Sequence, residues 1–344
     1  MALKNPRSIT ISKKAICVLV LCVLSMITLG VYAGYALGAN QYKDILNRVH
    51  ITREANSPYK FIGPLLNVVF PKEVGAEEFA PLMSQVQQTI NNQQAGALDH
   101  YSVYFRDLTT GHWAGINEND EYNPASLLKI VIAIAVYKKQ EEDPTFFNRP
   151  LTYTQSLAAV NAQFPFAPGV SLHVGQSYTP PILIEKMLSE SDNASKDLLF
   201  SALSSHDINE VYTDLLVQKP NYDDSSNYTI SALDYSRFFR ILYNGTYLTH
   251  TDSDALLKTL SETTFTQGLV SGVPATTPVA HKFGEHVLGT DVATGVELHD
   301  CGIVYHTKKP YFLCVMTSGS DEKMLTQAIA DISKTVYANI DAKK

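Results

Sequence analysis

Cysteine is scarce in this chain, with four in 344 residues. Cys17 and Cys22 lie in one apolar run near the N-terminus, so a fold stapled by many disulfides is excluded. Nor is there an excess of positive charge. With 27 basic and 34 acidic residues the net charge is -7, and nothing in that balance points to a nucleic-acid partner. The ten histidines show no paired ligand spacing on a helix, so neither a metal nor another cofactor is called for. What remains is 45% hydrophobic and 18% charged, enough for a full core in one or two globular domains.

One run lacks charge altogether. Ala15 to Gly38 holds no charged side chain and is long enough to cross a bilayer as a helix. Lys4, Arg7, Lys13 and Lys14 precede it and the next basic residue is Lys43, which places the N-terminus in the cytoplasm and the rest outside. Leu37-Gly38-Ala39 offers signal cleavage and secretion as the alternative, but the run exceeds a usual signal core and favours an uncleaved single-pass anchor. The expected plan is a basic tail (1–14), an anchor (15–38), a spacer that docks only in part (39–75) and a globular domain (76–344). Cys301 and Cys314 flank a hairpin centred near Thr307 and Lys308. They are either a disulfide, in an oxidising compartment, or two core thiols.

Within the domain, Phe79, Leu82, Met83, Val86 and Ile90 have amphipathic-helix spacing, and Tyr101 to Asp107 with His112 to Ile116 reads as a hairpin. Helices follow over about 182–190, 194–203 and 208–217. Another runs from the cap Ser231-Ala232-Leu233-Asp234 to Asn244-Gly245. Strands return at Val279 to Gly284, Glu297 to Tyr305 and Tyr311 to Thr317, before a helix over about 320–340. Two strands at one end and three at the other imply one sheet built from both ends, with a helical insertion over about 127–270.

The chemistry centres on Ser126-Leu127-Leu128-Lys129, which leads into the apolar run Ile130 to Val136. One helical turn separates the hydroxyl from the amine. A lysine kept neutral by burial and nearby positive charge can take the proton of a serine nucleophile. Ser57 to Lys60 and Ser320 to Lys323 have the same spacing, but neither heads a buried helix. Ser191-Asp192-Asn193 and Lys282-Phe283-Gly284 follow in order. Alone, the first reads as a helix cap and the second as a strand end.

The three motifs together, from about Gly75 onward, resemble the class A β-lactamases and penicillin-binding proteins, whose signature is Ser-x-x-Lys, Ser-Asp-Asn and Lys-Thr-Gly. The resemblance implies an α+β fold: a five-stranded antiparallel sheet, flanking N- and C-terminal helices and an inserted all-helical subdomain. It implies that Ser126 is acylated, that Lys129 accepts its proton and that Ser191 passes a proton to the leaving nitrogen. Lys282 then keeps Lys129 neutral and attracts an anionic group, and Asn193 binds the substrate amide. Gly284 and Glu285 border the substrate, the N–H groups of Ser126 and Glu285 forming the oxyanion hole. The implied partner is a β-lactam or a D-alanyl peptide of the cell wall.

Two departures bear on turnover. Phe283 stands where the family has a hydroxyl. No glutamate occurs between Glu210 and Glu262, where class A enzymes carry the residue that activates the deacylating water. Asp223 and Asp224 are short substitutes, and a solvated turn is the simpler reading of that stretch.

Overall fold

The structure is a computed structural model that describes residues 14, 22–34, 50–54, 57–69, 77–93, 98–154, 172–221, 228–288 and 295–342. Its larger unit comprises His50–Val68 and Val74–Lys344. Strands β1 (His50–Arg53) and β2 (Leu65–Val69) pair with each other. Helix α1 (Ala80–Asn91) leads into β3 (His100–Asp107) and β4 (Trp113–Ile116). After the two-residue strand β5 (Glu121–Tyr122) comes α2 (Lys129–Glu142), followed by the short pair β6 (Leu151–Thr152) and β7 (Ser177–Tyr178).

Helices α3 (Pro180–Ser189), α4 (Asn193–Ser201) and α5 (Ser205–Asp214) follow. Strand β8 (Ile230–Ser231) pairs with β5 and opens α6 (Ala232–Asn244) and α7 (His250–Ser261). The chain closes with β9 (Val279–Val287), β10 (Val296–Val304), β11 (Tyr311–Gly319) and α8 (Glu322–Ala342).

The expected sheet of both chain ends is present, antiparallel throughout, in the order β4-β3-β11-β10-β9. Side chains alternate across its strands. Tyr104, Cys301, Ile303, Phe312, Cys314 and Met316 join the core that holds the helical insertion. Val103, Phe105, Leu298, Leu313 and Val315 join a second core with α1 and α8. Burial on both faces explains why β11 reads as a continuous apolar run rather than an alternating one. Cys301 and Cys314 face each other in register and form a disulfide.

Caps set the helix starts. Ser204 and Asp207 form a full capping box on α5. Ser231 caps α6 through the Asp234 N–H, while the Asp234 carboxylate turns to Arg237 instead. Gly245 ends α6 in the left-handed region at φ 61°. The sequence reading gave no element to α7, whose signal is Thr249 accepting from the Asp252 N–H.

The described part of the stretch expected as a spacer docks on the helical insertion. Phe61 and Ile62 are buried in the helical-side core, and the Gly63 N–H donates to Tyr243 O at 2.8 Å. Phe61 N–H reaches Asp254 Oδ1 at 2.6 Å, and Arg53 donates to Asn244 Oδ1 at 3.0 Å. Of the expected anchor, residues 22–34 are helical and exposed, and the remainder lies outside the described residues. Among the described residues no helix is long and apolar enough to cross a membrane. Phe164-Pro165-Phe166-Ala167-Pro168-Gly169, whose two prolines and glycine read as an irregular loop, also lies outside them.

Candidate functional site

Ser126 was expected in the first turn of an α-helix and instead occupies a 3-10 turn, Ala125–Leu128, ahead of α2. The Leu127 N–H closes that turn on Pro124 O at 2.9 Å. Ala125 causes the difference, with a left-handed backbone at φ 46°. For a residue with a Cβ that conformation costs roughly 1–2 kcal/mol. It persists only where the surroundings over-determine it.

Those surroundings are specific. Asn123 Oδ1 accepts from the Ala125 N–H at 3.0 Å, and Tyr235 of α6 donates to Leu127 O at 3.0 Å. From β10, His299 Nε2 donates to Asn123 O at 3.0 Å while Glu297 accepts the Asn123 N–H. Gly284 of β9 packs on the same turn. A Cβ there would lie 2.6 Å from Pro124 O, so only glycine allows the approach. Strand β9 is an edge strand, paired on one side alone.

Across the site, Ser191 has a left-handed backbone at φ 57°. Asp192 caps α4 by accepting from the Ser195 N–H, and Asn193 opens the helix. The triplet is thus both a helix cap and a site element. Lys129 Nζ donates to the Ser191 carbonyl, to Ser191 Oγ at 3.1 Å and to Asn193 Oδ1 at 2.7 Å. Lys282 Nζ donates to the same Ser191 Oγ at 2.9 Å and to Phe283 O at 3.1 Å. Four of the expected residues, Lys129, Ser191, Asn193 and Lys282, therefore form one hydrogen-bonded group. Ser126 stands one turn before Lys129, and among the described residues its hydroxyl makes no hydrogen bond.

Both lysines are buried, and among the described residues no carboxylate pairs with either. Burial, reinforced by the Lys282 and Lys196 charges, holds the Lys129 amine well below the usual lysine range. Burial brings Lys282 down to about 7, with Asp300 opposing. A neutral amine one turn from Ser126 is the state that base catalysis requires.

Phe283 packs flat against Phe265, ring centroids 4.2 Å apart, and Lys282 Nζ lies 4.2 Å from the Phe283 ring centroid. The substitution trades a hydroxyl for a face that attracts a cation. The Glu285 side chain interacts with Glu322 of α8, and burial pushes its carboxyl up to about 8.

Sequence reasoning missed Glu297, His299 and Tyr235, which hold the turn around Ser126 through its backbone. Burial raises Glu297 to about 7 and lowers His299 to about 4. No spacing rule links β10 to residue 123. Asp223 and Asp224 lie outside the described residues. Among the described residues no three His, Cys, Asp or Glu side chains gather as a metal-ligand set.

The fold has solved counterparts. PBP-A aligns with a TM-score of 0.64 at 21% identity over 79% of this chain and 99% of that one. The TLA-1 extended-spectrum beta-lactamase aligns at 0.65 and 20% identity, over 76% of this chain and 98% of its own. A class A beta-lactamase from Mycobacterium abscessus gives 0.62 and 21%, covering 76% of this chain and 100% of its own. No curated protein sequence matches. The description "Beta-lactamase enzyme family" matches residues 81–340. That match takes in all three motifs and well over half the chain, and the chain accordingly belongs to the beta-lactamase enzyme family.

Proposed function

We propose that the protein is an extracytoplasmic serine hydrolase that forms an acyl-Ser126 intermediate with β-lactams or with the D-alanyl ends of cell-wall peptides. The observation that carries this reading is Ser191 Oγ, held at once by Lys129 and Lys282 in a buried site. Neutral Lys129 takes the proton of Ser126 as its Oγ bonds to the substrate carbonyl carbon. The C–N bond then breaks, and Ser191 hands a proton to the leaving nitrogen while drawing one from Lys129. The base ends neutral and the amine leaves protonated.

The N–H groups of Ser126 and Glu285 are the oxyanion donors, each worth roughly a hundredfold or more in rate. Asn193, its carbonyl oxygen tied to Lys129, keeps its NH2 group for a substrate carbonyl. Gly284 lines the edge where the substrate lies. With Phe283 in place of a hydroxyl, the substrate carboxylate relies on Lys282.

A second reading has its own support. No glutamate lies between Glu210 and Glu262, so the acyl-enzyme lacks the usual activator of water. That favours a penicillin-binding enzyme that releases its product slowly, either a D,D-peptidase or a sensor. A mutant of PBP-A is known as an acyl-enzyme complex with penicillin G, and the same adduct is the expected state of this chain. Residues 15–38, uncharged and preceded by four basic residues, are proposed as its membrane anchor.

The test uses the full-length protein in detergent. Intact-mass analysis after penicillin should show one adduct, lost in Ser126→Ala, and a chromogenic cephalosporin should turn over slowly or not at all. Labelling that persists in Ser126→Ala removes Ser126 from the mechanism, and fast turnover favours the β-lactamase reading over the slow one.

A further inference from the structure

Away from the three motifs, two arginines are held in the fold with no acid to balance them. Arg106 of β3 lies two residues beyond Tyr104, on the sheet face that meets the helical insertion. It is only 6% exposed. A guanidinium has five N–H donors, and one is used here, on the Tyr104 hydroxyl at 3.3 Å. Among the described residues no carboxylate pairs with Arg106 or with Arg53, the last residue of β1. Arg53 donates to Gly63 O, to Leu108 O and to Asn244 Oδ1 at 3.0 Å, and it lies 4.9 Å from the Tyr243 ring centroid. Its Nε is buried and, among the described residues, has no hydrogen-bond partner. The two guanidiniums feel each other: burial and the Arg106 charge hold the Arg53 pKa below its usual value, with Tyr243 and Asp107 opposing.

Asp107, the acid that acts on Arg53, is committed elsewhere. Its Oδ1 accepts from the Thr109 and Thr110 N–H groups at 2.7 and 3.1 Å, and its Oδ2 lies 3.8 Å from Lys309 Nζ. Asp107 and Lys309 offset one another, which leaves the charge of the two arginines. A buried lysine can shed its proton, but a guanidinium keeps its charge, and a buried charge without a partner is costly. The pair calls for an anion that the described residues do not supply. We propose that Arg53 and Arg106 form a second site, which binds a dianionic phosphate group, either free or as a phosphomonoester. Two charges match two guanidiniums, and each planar fork fits a pair of phosphate oxygens. A carboxylate would neutralise only one of them. Arg53 already holds the end of α6 through Asn244, so a phosphate shared with Arg106 fastens the docked segment to β3 and α6 together. The site goes beyond the acyl-serine reading and does not depend on it.

The experiment melts the full-length protein in a maltoside detergent at about pH 8, where both probes are dianions. Inorganic phosphate and glycerol 3-phosphate are titrated separately, with sodium chloride at matched ionic strength as the control. A ligand that binds the folded state raises the midpoint with its concentration, and near saturation the gain over chloride should be about 3–5 °C. A response to inorganic phosphate alone supports the site and identifies a free ion, whereas a stronger response to glycerol 3-phosphate supports it and identifies an esterified group. Arg106→Leu removes one guanidinium and should abolish the gain over chloride. Arg106→Gln serves if Arg106→Leu does not fold. A wild type that responds to neither phosphate beyond chloride, or a gain that survives in a folded Arg106 variant, overturns the site. Neither result bears on the acyl-serine reading, which is tested by the adduct on Ser126.

Discussion

Ser191 Oγ contacts two buried amines, and two adjacent positive charges without a counter-ion are strongly disfavoured. The pair resolves this by losing a proton, and burial with the Lys282 and Lys196 charges holds the Lys129 amine well below the usual lysine range. Replacing Lys282 by Gln removes one of the charges that depress Lys129. The Lys129 pKa then rises, and the acid limb of the acylation pH profile should move to higher pH, alongside a lower rate constant. A profile that keeps its position would show that Lys282 does not set the state of Lys129.

Glu297 permits a second prediction at this scale, with its sign fixed by linkage. Its folded pKa is about 7 against an ordinary 4.5. The folded state therefore keeps the proton that the unfolded state gives up, and the stability from this group, full below pH 4.5, is lost as pH rises through 7. Glu297→Gln holds the same Asn123 N–H without the titration. The melting temperature of Glu297→Gln should fall less between pH 4.5 and 7.5 than that of the wild type. Parallel curves for the two proteins would remove Glu297 from the pH response.

Among the elements, the docked segment His50–Val68 has the largest measurable consequence. It precedes the region matched by the family, residues 81–340, yet it places Phe61 and Ile62 in the helical core and sets Phe61 against Tyr305 with ring centroids 5.3 Å apart. Emptying a buried phenylalanine site costs about 3–5 kcal/mol, so Phe61→Ala should lower the unfolding free energy by that order. A chain begun at residue 76 should melt well below one begun at residue 45. Equal melting curves would show that the segment packs without stabilising.

This segment also shows where the sequence stopped being readable. Its apolar residues lie among Pro, Asn and charge without helix or strand period, so no local rule reports that they dock on α6 and α7. The five strands of the main sheet were legible, four from their β-branched and aromatic content and the short β4 from the turn that joins it to β3. Helix α7 was not found, though Thr249 and Asp252 supply an ordinary cap and Leu256, Leu257 and Leu260 a buried side. At the site, Lys129, Ser191 and Lys282 were legible from motif order. The left-handed Ala125 and the Glu297 and His299 hold on Asn123 were not, because they depend on which strand passes behind the turn.

For the molecule as a whole, the site is a junction. Ser126 and Lys129 precede and open the helical insertion, Ser191 lies within it, and Lys282 comes from an edge strand of a sheet made by both chain ends. The geometry of the site therefore depends on how firmly β9, β10 and β11 are joined. Cys301 pairs in register with Lys282 on one side and is bonded to Cys314 on the other. The bond closes a short loop, with a sequence separation of 13, and loops of that size contribute roughly 3 kcal/mol in the chain-entropy account. Cys301→Ala with Cys314→Ala should therefore lose about that much stability. It should also acylate more slowly than the wild type under conditions where both are folded, because the strand that carries Lys282 is less firmly held. Thermal melting and the acylation constant separate the two effects. Lower stability with an unchanged constant would confine the disulfide to the fold, and a change in both would tie the sheet to the chemistry.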